Sequence, residues 1–127
     1  NNFFHSKGRD YSIMISDSLR AKHCPPGGQY QLGGHDIEIG DDGLARLKGT
    51  DTIAGSTLNL NRGLKILVEE AMVPFDTAVN SCTINPARCL GVDDRKGRIA
   101  VGCDADLVVL EDDYSVLQTW CRGRAML

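Results

Sequence analysis

Between positions 25 and 55 turn formers interrupt the chain every few residues: Pro25-Pro26-Gly27-Gly28, Gly33-Gly34, Gly40-Asp41-Asp42-Gly43 and Lys48-Gly49. At that hairpin spacing the stretches between them, residues 29–32, 35–39 and 44–47, read as a three-stranded antiparallel meander. The Gly33-Gly34 pair suits the positive φ angles of a two-residue hairpin turn.

The flanking texture is different. Upstream, Tyr11-Ser12-Ile13-Met14-Ile15-Ser16-Asp17 is a short apolar run ending at a carboxylate, with Gly8, Arg9 and Asp10 separating it from what precedes, and it fits a buried strand. Downstream the period lengthens. Leu60, Leu64, Leu67, Val68 and Ala71 lie on one face of a helix that Ser56 or Thr57 is placed to cap. Pro74 opens a second helix as a first-turn residue, with Phe75, Ala78, Val79 and Cys82 sharing a face. Asn85-Pro86 repeats the capping pattern for a single turn, residues 87–90, closed by Gly91. Residues 93–97 form a polar loop, after which 98–101, 105–110 and 116–121 read as strands with a hairpin at Arg122-Gly123.

A lone buried strand cannot satisfy its own edges, and two β groups split by helices are pieces of a layer completed elsewhere. The chain therefore reads as part of something larger, an expectation that the absence of an initiator Met strengthens. Its 127 residues are one domain's worth at most. The 14 basic and 17 acidic residues leave a net charge of −3, mixed along the chain with no basic stripe, which argues against nucleic acid as a partner. The longest aliphatic run, Leu107-Val108-Val109-Leu110, is far short of the about 20 residues a membrane span requires. The first residues have neither the basic leader nor the apolar core of a secretory signal. The cysteine count, five, is odd and none are spaced as redox or zinc pairs, so they read as reduced cytosolic thiols.

Asp17 is the foremost candidate for chemistry, because the carboxyl ends of strands are where parallel-barrel enzymes gather catalytic groups; an Asp after a strand also caps turns, here between Ser16 and Ser18. His23 and His35 lack metal-pair spacing. Ile53-Ala54-Gly55-Ser56, just before the first helix, offers small residues and free N–H groups to a ligand oxygen, while Ser56 has no His beside it to make it a nucleophile. Arg88 reads as a stitch between elements, and Arg95 and Lys96 as solvated loop charges.

Asn85-Pro86-Ala87-Arg88 with Leu90-Gly91, then Lys96-Gly97-Arg98-Ile99-Ala100-Val101-Gly102 running into Asp104-Ala105-Asp106-Leu107-Val108-Val109-Leu110, resemble the C-terminal signature of the amidohydrolase superfamily. Within it, Ile15-Ser16-Asp17-Ser18, Gln29-Tyr30-Gln31-Leu32-Gly33-Gly34 and Thr52-Ile53-Ala54-Gly55-Ser56 are similar to the N-acetylglucosamine-6-phosphate deacetylases. The resemblance spans residues 7–124 and about the last third of that family's length. It implies an α/β fold: the C-terminal fragment of a (β/α)8 (TIM-type) barrel with part of a flanking small β sandwich. Residues 7–24 would be the last barrel strand and catalytic loop, 25–51 a β meander of the sandwich or an insertion, 52–92 the barrel-end helices and 93–127 the C-terminal sandwich strands.

By the same likeness Asp17 matches the catalytic aspartate, and Ile53, Ala54 and Gly55 match the loop that touches substrate. The implied reaction is hydrolysis of the acetamide of N-acetylglucosamine 6-phosphate, in a cytoplasmic homodimer carrying a divalent metal, zinc or iron. None of the metal's ligands is within this chain, so the fragment alone is expected to be inactive and to need the remainder of the same enzyme. Two alternatives stay open: another amidohydrolase, an adenine deaminase or an N-acyl amino acid deacylase, because the signature over residues 85–110 is widely shared; or a noncatalytic β-rich interaction module.

Overall fold

The computed structural model describes residues 2–23 and 30–126, which divide into two compact units, Ser16–Asn59 and Asn1–Ile15 with Leu60–Leu127. In the first, a 3₁₀ turn at Arg20–His23 precedes four strands: β1 (Tyr30–Leu32), β2 (His35–Ile39), β3 (Leu44–Leu47) and β4 (Ile53–Ser56), antiparallel in the order β1-β2-β3-β4. Leu32 faces His35 across the two-residue turn, where Gly33 and Gly34 have φ of 58° and 84°, the double positive φ of a type I′ hairpin. Ile37, Ala45 and Ala21 are buried and form this unit's small interior. The turn at 40–43 is pinned by Asp42, which receives Leu44 N–H at 3.0 Å and both Arg46 guanidinium nitrogens at 3.0 and 2.6 Å. Those bonds hold its carboxyl down at about 2.

The meander expected over residues 25–51 thus has a fourth strand. Residues 53–56, expected as a loop before a helix, pair with the outer edge of β3 once the chain has reversed through 48–51, where Thr50 N–H bonds Leu47 O and Leu47 N–H bonds Thr52 O. The part of the meander at 25–29, with the Pro-Pro-Gly-Gly turn, lies outside the described residues.

The second unit contains α1 (Asn2–Lys7), α2 (Leu60–Lys65) continued by a π-helical stretch (Ile66–Glu70), α3 (Phe75–Cys82), α4 (Ile84–Cys89) and an antiparallel sheet of β5 (Leu107–Leu110), β6 (Val116–Cys121) and β7 (Arg124–Met126). Its core is Leu64, Val73 and Ala78, packed against Phe4, Leu67, Val68, Ala71, Val79, Leu110 and Tyr114, so four residues of the expected stripe face inward, whereas Leu60 is exposed and the α-helical period gives way to a π-helical one at Ile66. Neither Ser56 nor Thr57 caps α2, which starts only at Leu60. The turn placed at 87–90 begins earlier, with Asn85 and Pro86 inside the first turn of α4, where the missing proline N–H costs no helical bond. The Arg122-Gly123 hairpin forms as expected, with Cys121 facing Arg124.

Two expected strands do not form among the described residues. Residues 11–17 make no ladder: Met14 N–H bonds Ser81 O at 3.0 Å, Ser18 makes a single parallel bridge to Ser56, and Tyr11 and Ile15 are 81% and 71% exposed. An apolar run becomes a buried strand only between two neighbours, and among the described residues this one meets a strand only at its end, where Ser16 and Asp17 reach the Ser56 end of β4. Residues 98–101 likewise stay outside the sheet, with Ile99 and Val101 exposed. The loop before them is tied down by charge. Arg95 bonds Asp104 at 2.7 Å and Lys96 bridges Asp104 (2.8 Å) and Asp106, correcting the reading of both as free loop charges. These contacts raise the Lys96 pKa and lower those of both carboxyls. Among the described residues no helix is long and apolar enough to cross a membrane.

Candidate functional site

Asp17 and the 53–55 segment, singled out at positions 36 residues apart and more, lie side by side in the unit Ser16–Asn59. One edge of β4 pairs with β3; along its other edge the chain passes through Ser16, Asp17 and Ser18. Ser56 N–H donates to Asp17 O at 2.8 Å, Leu19 N–H donates to Ser56 O at 2.9 Å, and the Ser56 hydroxyl donates to Ser16 O at 2.5 Å. The Ser56 hydroxyl in turn accepts Leu58 N–H at 3.1 Å.

Glycine at position 55 is what permits this approach. A Cβ there would lie 3.0 Å from Leu19 Cγ and 3.1 Å from Asp17 O, and the φ of +123° is one that L side chains rarely adopt. The strand is also irregular at the same place. Ala45 faces Gly55 and Arg46 faces Ile53, so Ala54 is an extra residue on β4, a bulge of the kind that re-aims side chains next to binding sites. Ile53 is 61% exposed and Ala54 half-buried.

Asp17 itself sits at φ 47°, a left-handed conformation uncommon for a residue with a side chain, though Asp and Asn tolerate it best. It is exposed. It is an acceptor held out from a fixed backbone. The other unit carries a groove of its own, about 1280 Å³, bordered by Leu60, Leu64, Phe75, Val79 and Leu90.

Among the described residues no three His, Cys, Asp or Glu side chains gather as a metal site would require. His23 and His35 are exposed at the end of the 3₁₀ turn and the start of β2. Cys82, Cys89, Cys103 and Cys121 are free thiols, and burial pushes the Cys82 thiol up. Arg88 pairs with Asp10 at 3.3 Å, the stitch expected of it. Sequence reasoning missed the part Ser56 plays: only the tertiary path of residues 16–19 brings their carbonyls to it.

The profile of the amidohydrolase family matches residues 36–126. The chain is 38% identical over 120 residues to the N-acetylglucosamine-6-phosphate deacetylase of Bacillus subtilis, an alignment covering 94% of this chain and 30% of that protein. Among solved structures it resembles the N-acetyl-D-glucosamine-6-phosphate deacetylase of Mycobacterium smegmatis, with a TM-score of 0.89 and 32% identity over 99% of this chain and 33% of that one. A mutant of the Mycobacterium smegmatis enzyme in complex with N-acetyl-D-glucosamine-6-phosphate is similar at a TM-score of 0.87 and 34% identity, over 98% of this chain and 32% of that one. The chain spans about a third of the length of these relatives. Matched by the family profile over most of its sequence and by these folds over nearly all of its backbone, the chain belongs to the amidohydrolase family.

Proposed function

We propose that the chain is the C-terminal part of an enzyme that hydrolyses the acetamide of N-acetylglucosamine 6-phosphate to glucosamine 6-phosphate and acetate. The observation that carries this reading is the clamped juxtaposition of Asp17, its carboxylate exposed, with the bulged edge at Ile53, Ala54 and Gly55. In it Asp17 is the proton carrier. As water adds to the acetyl carbon, Asp17 takes the proton that water loses; as the C–N bond breaks, Asp17 returns it to the departing amine. Such general base and acid work contributes about 10²–10⁴ in rate. Ile53, Ala54 and Gly55 are the substrate-touching edge.

Amidohydrolases are generally metal-dependent. The described residues do not assemble such a site, so in this reading zinc or iron is held by the remainder of the enzyme, and the fragment alone is inactive. The finer architecture follows the same reading: a (β/α)8 barrel whose last strand is the run ending at Asp17, with β5–β7 as part of a small sandwich. The exposure of Val108 and Leu117 on one face of that sheet supports a missing covering layer. Cytoplasmic location and a homodimer complete the proposal, the first supported by the four free thiols among the described residues.

The test is an assay of the intact protein from the parent gene against N-acetylglucosamine 6-phosphate, adenine and N-acyl amino acids. Stoichiometric acetate and glucosamine 6-phosphate are expected from the first alone. Ammonia from adenine with the sugar phosphate left intact overturns the proposal.

A further inference from the structure

We infer that Ser56 is a positioning residue that locks Asp17 in its left-handed conformation by holding both peptide planes that flank it. The inference rests on the proton-carrying role of Asp17 proposed above. Because each peptide unit is planar, the φ and ψ of a residue are fixed once the planes before and after it are fixed. The plane before Asp17 carries the Ser16 carbonyl, which accepts the Ser56 hydroxyl at 2.5 Å. The plane after it carries the Asp17 carbonyl, which accepts the Ser56 amide at 2.8 Å. A third bond, from Leu19 N–H to Ser56 O at 2.9 Å, keeps the departing chain on the same strand edge.

The amide bond survives any substitution at position 56 except proline, so the plane before Asp17 is the one that depends on the side chain. Without the hydroxyl that peptide is free to rotate, and Asp17 relaxes from φ 47° toward the negative φ favoured by residues with a Cβ. The carboxylate then swings away while Ile53, Ala54 and Gly55 keep their ladder to β3. Proton transfer suffers and substrate contact does not.

The experiment compares Ser56→Ala, Ser56→Thr and Asp17→Asn in the intact enzyme acting on N-acetylglucosamine 6-phosphate. Ser56→Ala is expected to lower kcat by about tenfold to a hundredfold, the scale of an ångström's misplacement, with KM within about twofold. Ser56→Thr, which keeps the hydroxyl, is expected to restore kcat to within about threefold of wild type. Should Ser56→Ala not fold, Ser56→Val, which has the shape of Ser56→Thr without its hydroxyl, replaces it under the same criteria. A wild-type kcat in Ser56→Ala, or a Ser56→Thr enzyme as slow as Ser56→Ala, overturns the inference. An Asp17→Asn enzyme with undiminished kcat overturns instead the role of Asp17 on which it rests.

Discussion

Gly55→Ala, made in the intact protein, tests whether the approach of residues 16–19 to β4 is what the site requires. The added methyl meets Leu19 Cγ at 3.0 Å, Leu19 Cδ2 at 3.1 Å and the backbone oxygen of Asp17 at 3.1 Å. The Leu19 side chain is able to turn aside, but the Asp17 carbonyl is held by Ser56 and gives way only with the chain. Crowding of this kind costs about 1–3 kcal/mol. A side chain at a φ of +123° adds about 1–3 kcal/mol more. Relief by Leu19 brings the expected total to about 2–4 kcal/mol, below the about 5–15 kcal/mol that hold a typical domain folded. The strain is therefore expected to release locally, by detaching residues 16–19 from β4.

Hydrogen exchange followed by mass spectrometry or NMR reads that release at the Ser56 and Leu19 amides. Both lose protection in the variant, and acetate release slows with them. Gly49→Ala is the control. Its φ is +74°, but a Cβ there meets nothing within 4 Å, so it carries only a left-handed penalty of about 1–2 kcal/mol and leaves kcat unchanged. Unaltered exchange at Ser56 and Leu19 together with wild-type turnover in Gly55→Ala refutes the reasoning.

Three further outcomes are expected. Asp17→Asn keeps the shape and left-handed tolerance of the residue but cannot carry the proton, so kcat falls at least about tenfold while KM and metal content, measured by steady-state kinetics and elemental analysis, stay near wild type. Asn85 is 2% exposed and its amide donates to Arg9 O and Ser12 O, each at 2.8 Å; Asn85→Ala strands both carbonyls and lowers stability by about 1–3 kcal/mol in urea denaturation. The carboxyl of Asp42, held at about 2 by Arg46 and the Leu44 amide, lies below the ordinary 3.8, so its pairing stabilises the fold above about pH 4 and is lost as pH falls through about 2. Carboxyl-carbon NMR titration reads that midpoint directly, and Arg46→Met moves it back toward 3.8.

Local chemistry was the legible part of the chain. Gly33-Gly34 declared its hairpin because few dipeptides accept positive φ twice in succession, and Gly123 alone marked the second turn, where Arg122 also takes a positive φ. The stripe through Leu64, Leu67 and Val68 showed its inward face because a helical period needs no partner to be seen. Residues 53–56 carried no comparable mark. A strand of four residues containing a glycine and a bulge has no clean alternation, and it is a strand only because β3 offers an edge. Tyr11 and Ile15 misled in the opposite sense: an apolar run declares what could be buried, not what is present to bury it. For the site, Asp17 was marked by its place at the end of an apolar run and the segment of Ile53, Ala54 and Gly55 by its small residues before a helix, while their roles came from the family resemblance. Ser56 had no sequence signal, since its partners lie on residues 16, 17 and 19 and their approach is a tertiary fact.

The parts of the molecule are held by two different kinds of force. Arg95, Lys96, Asp104 and Asp106 fasten their loop through exposed ion pairs, which water and salt screen and which contribute little each. The clamp on Asp17 contains no charge: it consists of one hydroxyl, two amides and three carbonyls, arranged on a strand edge that a glycine lets come close. Neutral hydrogen bonds of this kind do not loosen with ionic strength, and none of these groups titrates near neutrality. A residue that must gain and lose a proton changes its own charge in each cycle. Were it positioned by a salt bridge, its protonated state would be released at the moment when it has to face the amine. In the role proposed for it, Asp17 held by its backbone keeps its place while the carboxylate changes charge, and that role would account for a left-handed aspartate carrying about 1–2 kcal/mol of strain.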